Sequence, residues 1–380
     1  MNYQYIKDKD ALVTYCQRAQ TKPFIAVDTE FVRTRTLTPQ IGLVQLYDGE
    51  QLALVDPIAI RELSALANLL SNPKVIKVLH SCSEDLDTFW TALGVMPNPL
   101  FDTQFATSLL NQGTSVGYAK LVEQRLGVSL DKGESRTDWL ARPLSEQQLA
   151  YAANDVYYLY QLFSPIAAEI EALGRTAWVL EESAQLAARK RQDLPSEYAY
   201  LTIKNNWLLS GRGLACLKAL AAWRLEKART RNLALNFVIK EGALVNIARR
   251  QPANKNALYA IPEMAPQDVR RHGEELLDIL DNVNRLPPEH YPANVERLVD
   301  FPAYKKTSAN LRHYCEEVAS QLAIPVELLG SKKQINQLLK WLWFTLDESK
   351  LMGQVPELIS GWRLPLLRDG ICRITGVKFD

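Results

Sequence analysis

The sequence predicts an α/β domain with a mixed sheet, followed by two all-helical domains. The first 200 residues alternate short β-branched or aromatic runs with helical segments, whereas the remaining residues have an almost wholly helical period. The helical part divides at Pro287, Pro288 and Pro292, because proline interrupts a helix. The three domains are expected at residues 1–200, 205–288 and 295–374.

Five strands are predicted in the first domain, at residues 24–31, 40–48, 51–56, 75–80 and 99–103. The second and third are joined across Gly49 and Glu50, a spacing typical of a tight hairpin. Helical segments separate the later strands. Three antiparallel strands followed by β-α-β units indicate a mixed sheet with helices on its faces.

Two carboxylates, Asp28 and Glu30, end the first strand in the run Phe-Ile-Ala-Val-Asp-Thr-Glu-Phe. The period of two puts both side chains on one face of the strand. From these residues alone, a strand end that leaves the core and places both in solvent is one interpretation. The other is a divalent-metal site at the C-terminal end of a central strand, because a buried pair would repel unless a cation lay between them.

A third carboxylate, Asp85, falls in the first turn of the helix after the fourth strand. Acids are common there because they interact favourably with the helix dipole. Glu84 and Asp87 are alternative candidates for the same role, because they too carry carboxylates. Asp102 is in a position to cap the next helix. His80 is expected to be a hydrogen-bonded core imidazole rather than a ligand.

Tyr151 and Asp155 lie four residues apart on a long predicted helix that opens at Ser145 with a capping-box pattern. Its apolar stripe, which includes Ala152 and Val156, would pack on the sheet. The Tyr–Asp pair shares a face rotated by roughly a right angle from that stripe. We therefore expect the pair to overhang the edge of the sheet, with a surface pair of no function as the alternative.

Composition places the chain among ordinary globular proteins, with 47% hydrophobic and 23% charged residues. Its five cysteines lie far apart without a C-x-x-C motif, which argues for free thiols in a reducing compartment and against a structural zinc or a disulfide framework. The N-terminal segment MNYQYIKDKD lacks the apolar run of a signal peptide, and no later run approaches the ~20 apolar residues of a membrane span. A cytoplasmic protein is expected.

Charge is distributed unevenly along the chain, although the net charge is only +1. Lys and Arg minus Asp and Glu give −6 for residues 1–200, +7 for 201–380 and +9 for 201–260 alone. This split suggests a cation site beside a polyanion-binding surface, although solvated charge alone produces such splits too. Arg224 is expected to snorkel or pair internally. The candidate phosphate contacts are Lys218, Arg229, Arg231, Lys240, Arg249 and Arg250, with a smaller basic spot at Lys332 and Lys333.

Four segments, DTEFVRTRT, HSCSEDL, ESRTDWLARPL and YAANDVYYL, resemble in order and spacing the motifs of the DEDD superfamily of 3′→5′ exonucleases, in its tyrosine branch. The two helical blocks look like helicase-and-ribonuclease-D C-terminal (HRDC) domains. The resemblance implies a ribonuclease-H-like sheet with strand order 3-2-1-4-5. It also implies an exoribonuclease that releases nucleoside 5′-monophosphates from structured RNA, with the 3′ ends of tRNA precursors as substrate. A monomer is expected, because three domains in one chain can encircle an RNA end without a partner.

The same resemblance implies roles for five residues. Asp28 would bridge two divalent cations, Mg²⁺ or Mn²⁺, while Glu30 and Asp155 would hold the cation that activates water. Asp85 would help to hold the second cation, and Tyr151 would orient the attacking water. Four carboxylates suit two hard cations that prefer oxygen ligands.

Two other classes of protein compete with this interpretation. A DNA proofreading or repair exonuclease would share the fold, but its polymerase or helicase module is not evident in the sequence. A nucleic-acid-binding adaptor with an inactive nuclease domain would be expected to lack one of the carboxylates, and all five site residues are present.

Overall fold

The computed structural model describes residues 2–131 and 133–378. Within these ranges the chain begins with a six-stranded sheet that has helices on both faces and continues as helical domains. The strands are β1 (Gln4–Ile6), β2 (Phe24–Val32), β3 (Gln40–Tyr47), β4 (Leu52–Val55), β5 (Ile76–Leu79) and β6 (Leu100–Asp102).

The sheet has the order β1-β4-β3-β2-β5-β6, so β2 lies near its centre. β3 is antiparallel to both β2 and β4, whereas β5 is parallel to β2 and β6, and β1 is parallel to β4. The five predicted strands are present in the expected mixed order. The structure adds β1 at the edge beside β4, because a strand of three residues is too short to show a period in the sequence.

Helices cover both faces of the sheet. The helices of this domain are α1 (Lys9–Ala19), α2 (Ser64–Ser71), α3 (Ser83–Leu93), α4 (Thr103–Leu109), α5 (Tyr118–Leu126), α6 (Glu146–Ala172) and α7 (Thr176–Lys190). α1, α2 and α3 pack on one face through an apolar core that includes Leu12, Leu66 and Phe89. α6 crosses the other face, where Ala152 and Val156 are fully buried as predicted.

Two helical domains follow. The first contains α8 (Gly211–Arg231), α9 (Leu235–Val238), α10 (Glu241–Arg250), α11 (Lys255–Tyr259) and α12 (Pro266–Asn284). The second contains α13 (Tyr304–Leu322), α14 (Val326–Gly330), α15 (Lys332–Trp343), α16 (Glu348–Leu351) and α17 (Leu364–Thr375). Short 3-10 helices lie between consecutive α-helices, at Ser196–Thr202, Asn206–Leu208, Pro288–His290, Leu298–Asp300, Glu357–Ile359 and Gly361–Arg363. No helix in the described part of the chain is long and apolar enough to cross a membrane.

The second helical domain is anchored on α7 of the α/β domain. Arg363, only 2% exposed, donates to the Glu182 carboxylate at 2.5 Å and to the backbone oxygen of Leu328 at 2.8 Å. Beside this ion pair, the rings of Trp178 and Trp362 stack with centroids 4.9 Å apart. The apolar core of this domain is continuous with the core under α6.

The first helical domain has its own core and contacts the loop that follows β2. Asn232, which ends α8 in the left-handed conformation (φ 46°), accepts hydrogen bonds from the backbone nitrogen and the hydroxyl of Thr38 at 3.0 and 3.1 Å. Ala234 donates its backbone N–H to the Arg35 oxygen at 2.8 Å, and the Arg35 guanidinium lies over the ring of Phe237. This domain therefore holds the segment that leaves the carboxylate-bearing strand.

Candidate active site

The five residues singled out in the sequence border one cavity at the C-terminal end of β2. The cavity has a volume of about 250 Å³. The five residues come from β2, from the start of α3 and from α6, while the end of β5 and the start of α5 complete the walls. The lining residues are Asp28, Thr29, Glu30, Phe31, His80, Asp85, Tyr118, Tyr151, Asp155 and Leu159.

β2 supplies Asp28 and Glu30 on the face that α6 covers. Directly after Glu30 the pairing register between β2 and β3 shifts at Phe31, an irregularity of the kind that redirects a strand next to a functional site. Glu30 is 8% exposed and Asp28 is partly buried, so neither carboxylate is fully exposed to solvent. One carboxylate oxygen each of Asp28, Glu30 and Asp155 lie within 4.8 Å of one another.

α6 supplies Tyr151 and Asp155, one helical turn apart. The helix begins at a complete capping box, in which the Ser145 side chain and the Gln148 side chain each bond the other's backbone nitrogen. Further along, the Tyr118 hydroxyl donates to the backbone oxygen of Asp155 at 2.5 Å. The capping box fixes where the helix begins, and the Tyr118 bond ties the turn that carries Asp155 to α5.

Asp85 reaches the cavity from α3, on the opposite face of the sheet. Its carboxylate accepts a hydrogen bond from the Thr29 hydroxyl at 2.5 Å. The two neighbouring acids point elsewhere, because Glu84 and Asp87 pair with Arg33 at 3.3 and 3.4 Å and do not line the cavity. Of the three acids in this turn, Asp85 alone joins the cluster.

His80 and Asp102 have the structural roles expected from the sequence. The two ring nitrogens of His80 are hydrogen-bonded, to the Thr103 hydroxyl at 3.0 Å and to the Val116 backbone oxygen at 2.9 Å. Burial lowers the pKa of His80, so the imidazole is neutral near pH 7. Asp102 caps α4 by accepting from the Gln104 backbone nitrogen at 2.8 Å.

The acids of the cluster resist ionisation. Burial, and then the charges of its neighbours, raises the pKa of Asp28 well above its ordinary value and that of Glu30 to about 9. Burial also raises the pKa of Asp155 to about 8 and that of Asp85 to about 6, although the Thr29 hydrogen bond opposes the latter shift. Such a site favours bound protons or bound cations, and its purely oxygen donor set fits hard divalent cations.

Tyr151 carries a hydroxyl beside these carboxylates. Burial and the charges of Asp155, Glu30 and Asp28 all raise its pKa. The hydroxyl therefore stays protonated across the physiological range and is able to donate a hydrogen bond into the cavity.

Of the six basic residues singled out, two are engaged within the protein. The Lys218 ammonium lies about 6 Å from the ring centroids of Tyr198 and Tyr200. Arg229 pairs with Glu226 at 3.3 Å. The other four have exposed side chains, namely Arg231, Lys240, Arg249 and Arg250.

Arg224 is internally paired, as predicted. It is 4% exposed and lies 3.7 Å from the Glu241 carboxylate. Its guanidinium also donates to the backbone oxygen of Ile239 at 3.5 Å. It therefore contributes to the core of the first helical domain rather than to its surface.

Sequence reasoning missed Thr29 and Tyr118. Thr29 lies between Asp28 and Glu30 and faces the opposite side of β2, so its bond to Asp85 depends on where α3 begins. Tyr118 follows a loop with no recognisable signal. Neither role could be read without the packing of helices on the sheet.

Family models match three parts of the chain. A model described as 3′-5′ exonuclease matches residues 3–171. A model described as HRDC domain matches residues 213–280, and one described as ribonuclease D, C-terminal HRDC domain, matches residues 302–371.

Curated relatives match nearly the whole chain. Ribonuclease D of Shewanella sp. (strain ANA-3) is 43% identical over 98% of this chain and 94% of its own length, and ribonuclease D of Escherichia coli (strain K12) is 43% identical over 98% of both. The crystal structure of Escherichia coli RNase D, described as an exoribonuclease involved in structured RNA processing, superimposes with a TM-score of 0.94 at 42% identity over 99% of each chain. The chain belongs to the ribonuclease D family of 3′→5′ exonucleases.

Proposed function

We propose that this 3′→5′ exoribonuclease uses two divalent cations, Mg²⁺ or Mn²⁺, held by Asp28, Glu30, Asp85 and Asp155. The observation that carries the proposal is the convergence of three carboxylate oxygens within 4.8 Å, beside a fourth acid in the same cavity. Bound divalent cations lower the pKa of water and stabilise charge that develops on a scissile phosphate. Asp28 would contact both cations, with Glu30 and Asp155 on one and Asp85 on the other.

In this proposal Tyr151 orients the attacking water. Its hydroxyl remains protonated beside the acids because burial and their charges raise its pKa. The oxygen of water attacks the terminal phosphorus, and the bond from phosphorus to the preceding 3′-oxygen breaks. The products are a nucleoside 5′-monophosphate and an RNA shortened by one nucleotide, with a free 3′-hydroxyl.

Structured RNA is the proposed substrate, with the 3′ ends of tRNA precursors as its best candidate. The description of the Escherichia coli protein as an enzyme of structured RNA processing supports this choice. We assign RNA contact to the basic set Lys218, Arg229, Arg231, Lys240, Arg249 and Arg250, of which the four exposed members are the best placed. We further propose a cytoplasmic monomer with domains at 1–200, 205–288 and 295–374.

The test incubates the full-length chain with a 3′-extended tRNA precursor and with single-stranded DNA of matched length, in Mg²⁺, Mn²⁺ or EDTA. Stepwise shortening of the RNA with release of 5′-monophosphates, abolished by EDTA, is the expected result. Asp281→Asn serves as the control for acid substitutions, because Asp281 is 72% exposed on α12. Equal hydrolysis of DNA would favour a DNA exonuclease, binding without hydrolysis would favour an adaptor, and activity in EDTA would overturn the metal mechanism.

A further inference from the structure

Gln45 is a buried polar residue in the middle of β3. Its side chain is 0% exposed, and neither its amide nitrogen nor its amide oxygen has a hydrogen-bond partner among the described residues. Burying an amide without a partner destabilises a folded protein. An apolar residue would fill this position at lower cost, so the amide calls for an explanation.

The strand pairing shows what the amide faces. Gln45 lies directly opposite Leu54 on one side and Asp28 on the other. Side chains opposite each other in antiparallel strands project from the same face with their Cβ atoms roughly 4.5–5.5 Å apart. Leu54 has no polar group, so Asp28 is the cross-strand neighbour of Gln45 that is able to accept a hydrogen bond.

The chemistry of the two groups is complementary. An ionised carboxylate is only an acceptor, and the glutamine amide nitrogen carries two donors on a side chain long enough to cross this gap. The pairing is strongest when Asp28 is charged, which is the state that a bound cation requires.

We propose that Gln45 is a positioning residue for Asp28. With cations bound, its amide nitrogen, which is unpaired within the described part of this structure, would donate to one carboxylate oxygen of Asp28 and so direct the carboxylate toward the cations. This inference rests on the proposed metal site and adds to it a residue from the neighbouring strand. Partners of this kind orient metal ligands and typically contribute roughly 10- to 100-fold to metal affinity.

The test compares Gln45→Leu with Gln40→Leu in the full-length chain. Gln40 is a matched control because it belongs to the same strand, is exposed and lies opposite Val32. Mn²⁺ binding is measured by titration calorimetry without RNA, and the unfolding temperature is measured by circular dichroism in EDTA.

We expect Gln45→Leu to raise the Mn²⁺ dissociation constant about 10- to 100-fold. Its unfolding temperature in EDTA should be unchanged or higher, because an unpaired buried amide has been removed. Gln40→Leu should match the wild type in both measurements.

Wild-type Mn²⁺ affinity in Gln45→Leu would overturn the proposal, and a lowered unfolding temperature with unchanged affinity would assign Gln45 to the fold. Gln45→Met, an unbranched apolar replacement, gives the same comparison if the leucine variant fails to fold. A wild-type chain that binds no Mn²⁺ would overturn the proposed metal site itself, and the role of Gln45 with it.

Discussion

The hydroxyl of Tyr151 is expected to act on water and not on the cations. Replacing it with phenylalanine should leave the ring in place near Trp139, whose ring centroid is 6.1 Å away, so stability and metal affinity should change little. Positioning and proton handling are worth ~10²–10⁴-fold. We therefore expect Tyr151→Phe to lower kcat by at least about 10²-fold, with KM near that of the wild type, in single-turnover assays at saturating Mn²⁺.

Tyr157→Phe is the matched control for this prediction. Tyr157 lies on the same helix, packs against Tyr47 and Tyr158 and does not line the cavity. Its variant should hydrolyse RNA at the wild-type rate. A normal rate for Tyr151→Phe would show that the water is held by the carboxylates and cations alone.

The acid cluster predicts how stability depends on pH when no cation is bound. Burial raises the pKa of Glu30 to about 9 and that of Asp155 to about 8, whereas unfolded acids titrate near ~4. The folded state thus binds more protons than the unfolded state between these values, so these two groups destabilise the folded state increasingly as the pH rises. In EDTA the unfolding temperature should fall between pH 5 and pH 8.5, and Mn²⁺ should restore it mainly at pH 8.5.

Asp155→Asn should abolish turnover and weaken this pH dependence, because it removes one of the repelling charges. Asp281→Asn makes the same change in charge at an exposed position, and it should leave both the activity and the pH profile unchanged. Thermal unfolding in EDTA at the two pH values makes the comparison. Retention of more than about a tenth of the wild-type rate would show that Asp155 is not a ligand, since metal assistance supplies several kcal/mol.

At the scale of elements, the contact between α7 and the second helical domain depends on a buried ion pair. Arg363→Ala would leave Glu182 largely buried and without its guanidinium partner, although the Trp362 indole still donates to it at 2.8 Å. Loss of one member of a buried pair costs roughly 2–5 kcal/mol. We expect a decrease of that order in the free energy of unfolding, measured with urea.

Arg312→Ala is the matched control, because Arg312 pairs with Glu316 on the surface of α13, where its side chain is 69% exposed. Such pairs contribute at most about 1 kcal/mol. An equally small effect of Arg363→Ala would mean that the stacked Trp178 and Trp362 rings and the surrounding apolar contacts hold the two domains together.

The elements that could be predicted from sequence are those with enough residues to show a period. β2 and β3 have nine and eight residues, and the start of α6 is marked in the sequence by a capping box. β1 has three residues and is held by pairing with β4, so its existence depends on a strand almost fifty residues away in the chain. Local patterns carry no information about such pairing.

The candidate site likewise contains residues that could be predicted from the sequence and residues that could not. Asp28, Glu30, Asp85, Tyr151 and Asp155 stand in motifs whose order and spacing are informative. Neither the Thr29 bond to Asp85 nor the place of Gln45 opposite Asp28 follows from spacing, because each depends on strand register or on helix packing. Lys218 is a further example, because the sequence places it on a basic helix face, whereas in the structure two tyrosine rings of the turn at 196–202 lie beside its ammonium group.

At the scale of the whole molecule, the excess positive charge lies in a different domain from the catalytic acids. Residues 1–200 carry a formal charge of −6, to which the four acids of the cluster contribute, while residues 201–260 carry +9. The electrostatic attraction for a polyanion is therefore expected mainly within residues 201–260. The first helical domain also contacts the loop after β2 through Asn232. An RNA bound there would therefore lie on a domain in direct contact with the loop that follows the catalytic strand.

This separation predicts the salt dependence of RNA binding. Arg249 and Arg250 are exposed at the end of α10, and each phosphate contact with a single strand contributes roughly 0.7 to the slope of log K against log salt. Replacing both with glutamine in the Asp155→Asn background, which keeps the RNA intact, should reduce the magnitude of the slope by about 1.4. Fluorescence anisotropy with a labelled single-stranded RNA, over a series of KCl concentrations, measures it.

The matched control replaces Lys332 and Lys333 with glutamine. These two lysines are also adjacent and exposed, but they open α15 in the second helical domain. The loss of charge is the same in both double variants, so a general electrostatic effect would reduce both slopes equally. A change confined to the arginine variant would assign phosphate contact to the first helical domain, whereas a change confined to the lysine variant would move the RNA to the second.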